Sequence, residues 1–220
     1  MSTVLVTGAN RGIGLALCRR FARRGDTVIG VCRNSSPELA AIGARVEAGV
    51  DVTSDTAVET LARKLAGTAL DVVVLNAGIL HGDDLDTLAW DDIRAQLEVN
   101  AMAPLRLAKA LRGLLSAGGK LVTITSRMGS MGDNSSGGYY GYRMSKAALN
   151  AATVSLARDL RVAGIAVAAL HPGFVRTEMT SQQGNMSPDE AARLLADRID
   201  HLSLETTGSF WHASGEVLPW

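Results

Sequence analysis

The chain has 220 residues, and its 22 Lys and Arg are balanced by 22 Asp and Glu. That length suits one domain, 1–220, and a composition of 47% hydrophobic and 20% charged residues is enough to bury a core, which excludes a disordered chain. Zero net charge with scattered arginines argues against a nucleic-acid partner, and no apolar run approaches the roughly 20 residues of a membrane span.

Two cysteines, Cys18 and Cys32, exclude a disulfide scaffold. His81, His201 and His212 show no ligand spacing, and His171, between an apolar run and Pro172, reads as structural, so no metal is expected. Met1-Ser2-Thr3 leads straight into an apolar run without the basic region and apolar core of a signal peptide, so a cytoplasmic location is expected.

The first strand is expected at Val4–Val6. Residues 13–24 follow as a helix with Ile13, Leu17 and Phe21 on one face, stopped by Gly25. Further strands are expected at 28–32, 46–50, 70–75, 120–125 and 165–170, with a short last one near 208–217. Helices are expected at 54–66, 142–163 and 188–202, with a helical turn led by Pro37. A long helical segment at 87–116 carries Pro104, so a bend is expected there. Strands alternating with helices require crossover connections. The strands are apolar on both faces, so the expected architecture is a parallel α/β sheet covered by helices on both sides. Ligands of such sheets bind beyond the carboxyl ends of the strands.

The segment Thr7-Gly8-Ala9-Asn10-Arg11-Gly12-Ile13-Gly14 joins the first strand to the first helix. Its glycines permit a tight turn and close approach to a pyrophosphate, and the helix N-terminus offers free N–H groups. No Lys-Ser/Thr follows, so it is not a triphosphate loop. NAD-binding loops place an acid about 20 residues on, to hold the ribose 2′-hydroxyl. Here Arg33 and Asn34 stand instead, and no acid lies between Asp26 and Glu38. Arg33, with Arg11, would pair with a 2′-phosphate, which favours NADP(H) over NAD(H). Asp51-Val52 after the third strand and Asn76-Ala77-Gly78 after the fourth lie at the same edge.

Tyr142 and Lys146 share a helix face at i, i+4 spacing. An ammonium beside a phenol favours phenolate, which would tune Tyr142 as a general acid toward a developing alkoxide. Ser126, just past the fifth strand, can hydrogen-bond the same oxygen or cap a turn. Asn100 is a poor helix former inside a helical segment, which fits either a polar kink beside a site or a solvated position.

Together these residues resemble the classical short-chain dehydrogenase/reductases. Thr7 to Gly14 resembles the family's glycine motif, Asn76-Ala77-Gly78 its N-A-G motif, and Asn100, Ser126, Tyr142 and Lys146 its catalytic tetrad. Pro172-Gly173, Val175 and Thr177 resemble the segment that holds the nicotinamide. The stretches Ser126–Ser130, Tyr142–Asn150, His171-Pro172-Gly173 and Leu218-Pro219-Trp220 are similar to the C-factor and sniffer-like carbonyl reductase branch. The resemblance implies a Rossmann-type doubly wound sheet of about seven strands. It implies Tyr142 as proton donor, Ser126 polarising a carbonyl, and Asn100 holding a relay water. It implies Lys146 on the nicotinamide ribose, lowering the pKa of Tyr142, and Asp51 at the adenine. Leu75 stands where many members carry a further Asn before Asn76.

Candidate substrate residues are Met128, Tyr139, Tyr140, Phe174 and Met179. They suit a small hydrophobic aldehyde or ketone reduced by NADPH. The alternative is a dinucleotide-binding regulatory protein of C-factor type that needs no turnover. A nucleotide-sugar epimerase or dehydratase is disfavoured, because the chain has little room for a substrate domain. Pairing through the Ala-rich face of 147–157 into a homodimer or homotetramer is expected.

Overall fold

The computed structural model describes residues 1–220. β1 (Thr3–Thr7), β2 (Thr27–Val31), β3 (Arg45–Glu47), β4 (Leu70–Leu75), β5 (Leu115–Ile124), β6 (Ala166–His171) and β7 (Ser209–His212) form one sheet in the order β3-β2-β1-β4-β5-β6-β7. All six pairings are parallel. The order reverses direction between β1 and β4, which opens a crevice at their carboxyl ends. This is the expected Rossmann-type architecture with seven strands.

The period of two along each strand divides the apolar side chains between two cores. Val4 and Val6 of β1, Val72 and Val74 of β4, and Val122 and Ile124 of β5 pack with α1 (Gly12–Arg23) and α7 (Pro188–His201). Leu5, Val73 and Leu121 point the other way, toward α3 (Asp55–Lys64), α5 (Ala103–Leu111) and α6 (Tyr140–Arg161). Because both faces are covered, the strands read as unbroken apolar runs.

Several boundaries move. β3 ends at Glu47, three residues before the expected end, so Asp51 sits in a loop. β5 begins at Leu115 rather than Lys120, with a register shift opposite Leu70 and Val72. Its first half carries Gly118 and Gly119 and no β-branched residue, so nothing local announces it. β7 covers four residues instead of ten. The 87–116 segment is α4 (Trp90–Leu97), a π-helical turn at Glu98–Met102, and α5. The irregularity lies at Asn100, and Pro104 falls in the first turn of α5, where its missing N–H costs nothing. No helix is long and apolar enough to cross a membrane.

Candidate active site

A cleft of about 860 Å³ opens at the β1/β4 switch point. One wall is the glycine loop, with Gly8, Asn10, Arg11, Gly12 and Ile13. A second wall carries Arg33, Asn34, Asp51 and Val52, and the floor is Asn76, Ala77 and Gly78. Thr177, Glu178 and Met179 close the far side.

The loop conformation follows from its glycines. Gly8 and Gly12 have φ of +65° and +54°, a region that side-chain-bearing residues avoid. Gly14 is required by contact instead, since a Cβ there would lie 2.1 Å from the Gly8 carbonyl oxygen and 2.6 Å from Asn76 Nδ2. Asn76 stitches the two strand ends together. Its backbone N–H donates to Thr7 Oγ1 at 2.9 Å and its Nδ2 donates to the Thr7 carbonyl at 2.9 Å. Ala77 N–H donates to the same threonine oxygen at 3.1 Å. Arg11 occupies the N-cap of α1 without a side-chain cap, and no acid lies in the first turn. The helix therefore presents free N–H groups and an uncompensated positive end to the cleft. That donor set, with two arginines, fits a dinucleotide phosphate group.

Behind the floor sits the chemical constellation. Tyr142 and Lys146 come from the first turns of α6 and are 7% and 4% exposed. Lys146 Nζ donates to the Ile124 carbonyl at 2.9 Å and lies 5.7 Å from the Tyr142 ring centroid. Ser126 lies beside the Tyr142 hydroxyl and favours its ionised form. Ser126 meets it because the turn after β5 presses on α6, where a Cβ on Gly129 would stand 2.7 Å from the Lys146 carbonyl carbon. Asn150 secures that turn by donating from Nδ2 to the Gly129 carbonyl at 3.2 Å and accepting from Thr125 Oγ1 at 2.7 Å. Ser126 also caps the turn, accepting from Met128 N–H at 3.1 Å.

The electrostatics correct one expectation. Burial pushes the Tyr142 phenol up to about 12, with Ser126 pulling the other way. Burial brings the Lys146 ammonium down to about 8. In the protein alone desolvation outweighs the attraction expected between phenolate and ammonium. Tyr142 is thus held protonated at neutral pH, the form a proton donor needs.

Asn100 is fully buried. Its Oδ1 accepts from Ile79 N–H at 2.8 Å, and its Nδ2 donates to the Ile79 carbonyl at 2.9 Å and to Ser145 Oγ at 3.0 Å. The side chain thereby holds the 78–79 backbone against α6. A Cβ on Gly78 would lie 3.1 Å from Asn100 Oδ1 and 3.7 Å from Lys146 Nζ, so the absence of a side chain at Gly78 lets the floor of the cleft come close to the constellation.

The remaining expected residues do not all converge. Thr177 lines the cleft, while Pro172 and Val175 are buried beside it and Gly173 turns with φ of +91°. Of the substrate candidates only Met179 lines the cleft. Tyr139, Tyr140 and Phe174 are exposed, and Met128 is half-buried in the turn after Ser126. Tyr139, with φ of +53°, lays its ring on Gly82. Four of the five thus lie outside the cleft.

Three groups escape sequence reasoning. Thr7 Oγ1 is the acceptor that fastens the N-A-G turn. Asp83 accepts from Tyr140 N–H and from Gly141 N–H at 3.1 Å, capping α6 from a loop 57 residues away. Glu178 pairs with Arg11 across the cleft mouth. Only contact across the fold reveals such partners. Cys32, beside Arg33, is buried, and desolvation raises its thiol pKa.

The comparisons agree with this geometry. The profile described as short chain dehydrogenase matches residues 2–188. The 1-hydroxy-2-glutathionyl-2-methyl-3-butene dehydrogenase of Rhodococcus sp. (strain AD45) is 45% identical over the whole of both chains. Among solved structures, carbonyl reductase Sniffer of D. melanogaster superposes with a TM-score of 0.93 at 28% identity, covering 100% of both chains. An NADPH-bound carbonyl reductase from chicken fatty liver gives 0.91 at 29%, covering 100% of this chain and 99% of that one. The match spans the glycine loop, the switch-point cleft and the Tyr-Lys helix, and the chain belongs to the short chain dehydrogenase family and is an oxidoreductase.

Proposed function

We propose that the protein reduces a hydrophobic aldehyde or ketone to an alcohol with NADPH, using Tyr142 as proton donor. The observation that carries this reading is the buried Tyr142 beside Ser126, with Lys146 one turn behind it. When bound, the reduced nicotinamide supplies the hydride. Arg33 and Arg11 would face its 2′-phosphate, and Asn76, Ala77 and Gly78 would form the floor under it. Tyr142 gives its proton to the carbonyl oxygen while the Ser126 hydroxyl hydrogen-bonds that oxygen. Lys146, anchored on Ile124, would hold the ribose hydroxyls, and Asn100 keeps the Gly78–Ile79 backbone in place. The reading includes a homodimer or homotetramer through the outer face of α6, where Met144, Ala148 and Ala151 are exposed.

Tyr142→Phe tests it. Carbonyl reduction, followed by NADPH absorbance, should fall by about 10²–10⁴-fold while nucleotide binding persists. Unchanged turnover would reject the assignment. A protein that binds the dinucleotide but turns over no carbonyl, wild type included, would be the regulatory alternative. The full-length likeness to the Rhodococcus dehydrogenase favours a second reading, oxidation of a glutathionyl alcohol, in which Tyr142 accepts the proton. Assaying apolar carbonyls with NADPH against a glutathione-conjugated alcohol with NADP⁺ or NAD⁺ separates the two.

A further inference from the structure

Arg11, Arg33 and Arg176 are the cations lining the cleft, and the two expected at a 2′-phosphate, Arg11 and Arg33, are not equally available. Arg33 forms no ion pair, and Asp51, which feels its charge, turns its Oδ1 to Thr53, accepting from the backbone N–H at 2.9 Å and from Oγ1 at 2.7 Å. Arg11 is already engaged. Its guanidinium pairs with Glu178, 167 residues on, and the two side chains are 66% and 64% exposed. Glu178 is not a loosely placed partner. It opens a 3₁₀ turn at Glu178–Thr180 in which Thr177 and Thr180 cap each other, and Thr180 Oγ1 donates to the Val175 carbonyl at 2.7 Å. That turn also touches the glycine loop, since a Cβ on Gly12 would lie 3.5 Å from Thr177 Cγ2.

We propose that Glu178 sets nucleotide selectivity by competing with a 2′-phosphate for Arg11. The proposal rests on the reading that NADP(H) is the favoured dinucleotide. A phosphate at the adenosine ribose must take Arg11 away from a carboxylate that the fold holds in place, whereas a 2′-hydroxyl makes no such demand. Arg33 then supplies the unopposed attraction, and Glu178 reduces what Arg11 adds to it. An exposed ion pair is weak, so its release corresponds to a change of about two- to five-fold in affinity.

The test is calorimetric titration of NADP⁺ and of NAD⁺ into wild type, Glu178→Gln, Arg11→Gln and the double variant, with thermal melts as a check of folding. Glu178→Gln should tighten NADP⁺ by about two- to five-fold and leave NAD⁺ unchanged, and the gain should vanish in the Arg11→Gln background. Equal tightening of NAD⁺, no gain for NADP⁺, or a gain that survives without Arg11 would overturn the proposal. Wild type binding NAD⁺ more tightly than NADP⁺ would instead sink the underlying reading, because the Glu178→Gln effect is scored on the ratio of the two affinities and not on which is larger.

Discussion

Asn100→Ala separates a positioning role from a water-holding one. The substitution deletes three hydrogen bonds, two to the Ile79 backbone and one to Ser145, at a fully buried position. Ser145 keeps its own bond, donating to the Tyr142 carbonyl at 2.8 Å, so the loss falls mainly on Ile79. At about 1 kcal/mol net per bond, with a further cost for a buried amide left unpaired, the change should destabilise by about 2–4 kcal/mol. The higher helix propensity of alanine returns a few tenths of that. For a chain of this size the melting point should drop by roughly 5–12 °C. Urea denaturation and thermal melting measure the loss directly. Asn100→Asp adds a second readout. It retains the acceptor for Ile79 N–H but places a carboxylate beside Gly78, close to Lys146. The basic limb of the pH–rate profile should then move upward from about 8, the value that burial sets for Lys146. A destabilisation below about 0.5 kcal/mol in the alanine variant, with an unmoved limb in the aspartate one, would refute the positioning account.

Gly14→Ala should weaken dinucleotide binding by more than about tenfold and lower stability by at least about 2 kcal/mol, because its Cβ would meet the Gly8 carbonyl oxygen at 2.1 Å. Gly25→Ala, with φ of +89° and open space around it, should cost only about 1 kcal/mol and leave binding alone; titration and melting compare the two. Burial, aided by His212, Arg127 and Lys146, holds the His171 imidazole neutral with a pKa near 3. Its folded value lies below the unfolded one, so its contribution is complete above about pH 6.5 and is lost progressively as pH falls toward 3, on the order of 4 kcal/mol in all. His171→Phe should flatten the stability slope between pH 6.5 and 4.5, and an unchanged slope would remove His171 as its source. Arg33→Asp should shift preference toward NADH, and an NADPH preference equal before and after would reject Arg33 as selector.

The local chemistry was legible in the chain itself. Glycine spacing after the first strand, the i, i+4 pair at Tyr142 and Lys146, and the missing acid near Arg33 depend on neighbours in sequence, so their chemistry could be read without a fold. The alternation of strands and helices named the sheet for the same reason, since each signal is periodic over a few residues. The tertiary structure alone decided that Asn100 is a bracket for Ile79, that Thr7 and Asn76 lock the crevice, and that Asp83 caps α6. It also showed that burial, rather than the neighbouring ammonium, governs the Tyr142 phenol. The beginning of β5 and the pairing of Arg11 with Glu178 belong to that second class. Desolvation and long-range hydrogen bonds arise from groups brought together from distant parts of the chain, and no short window of sequence contains both partners.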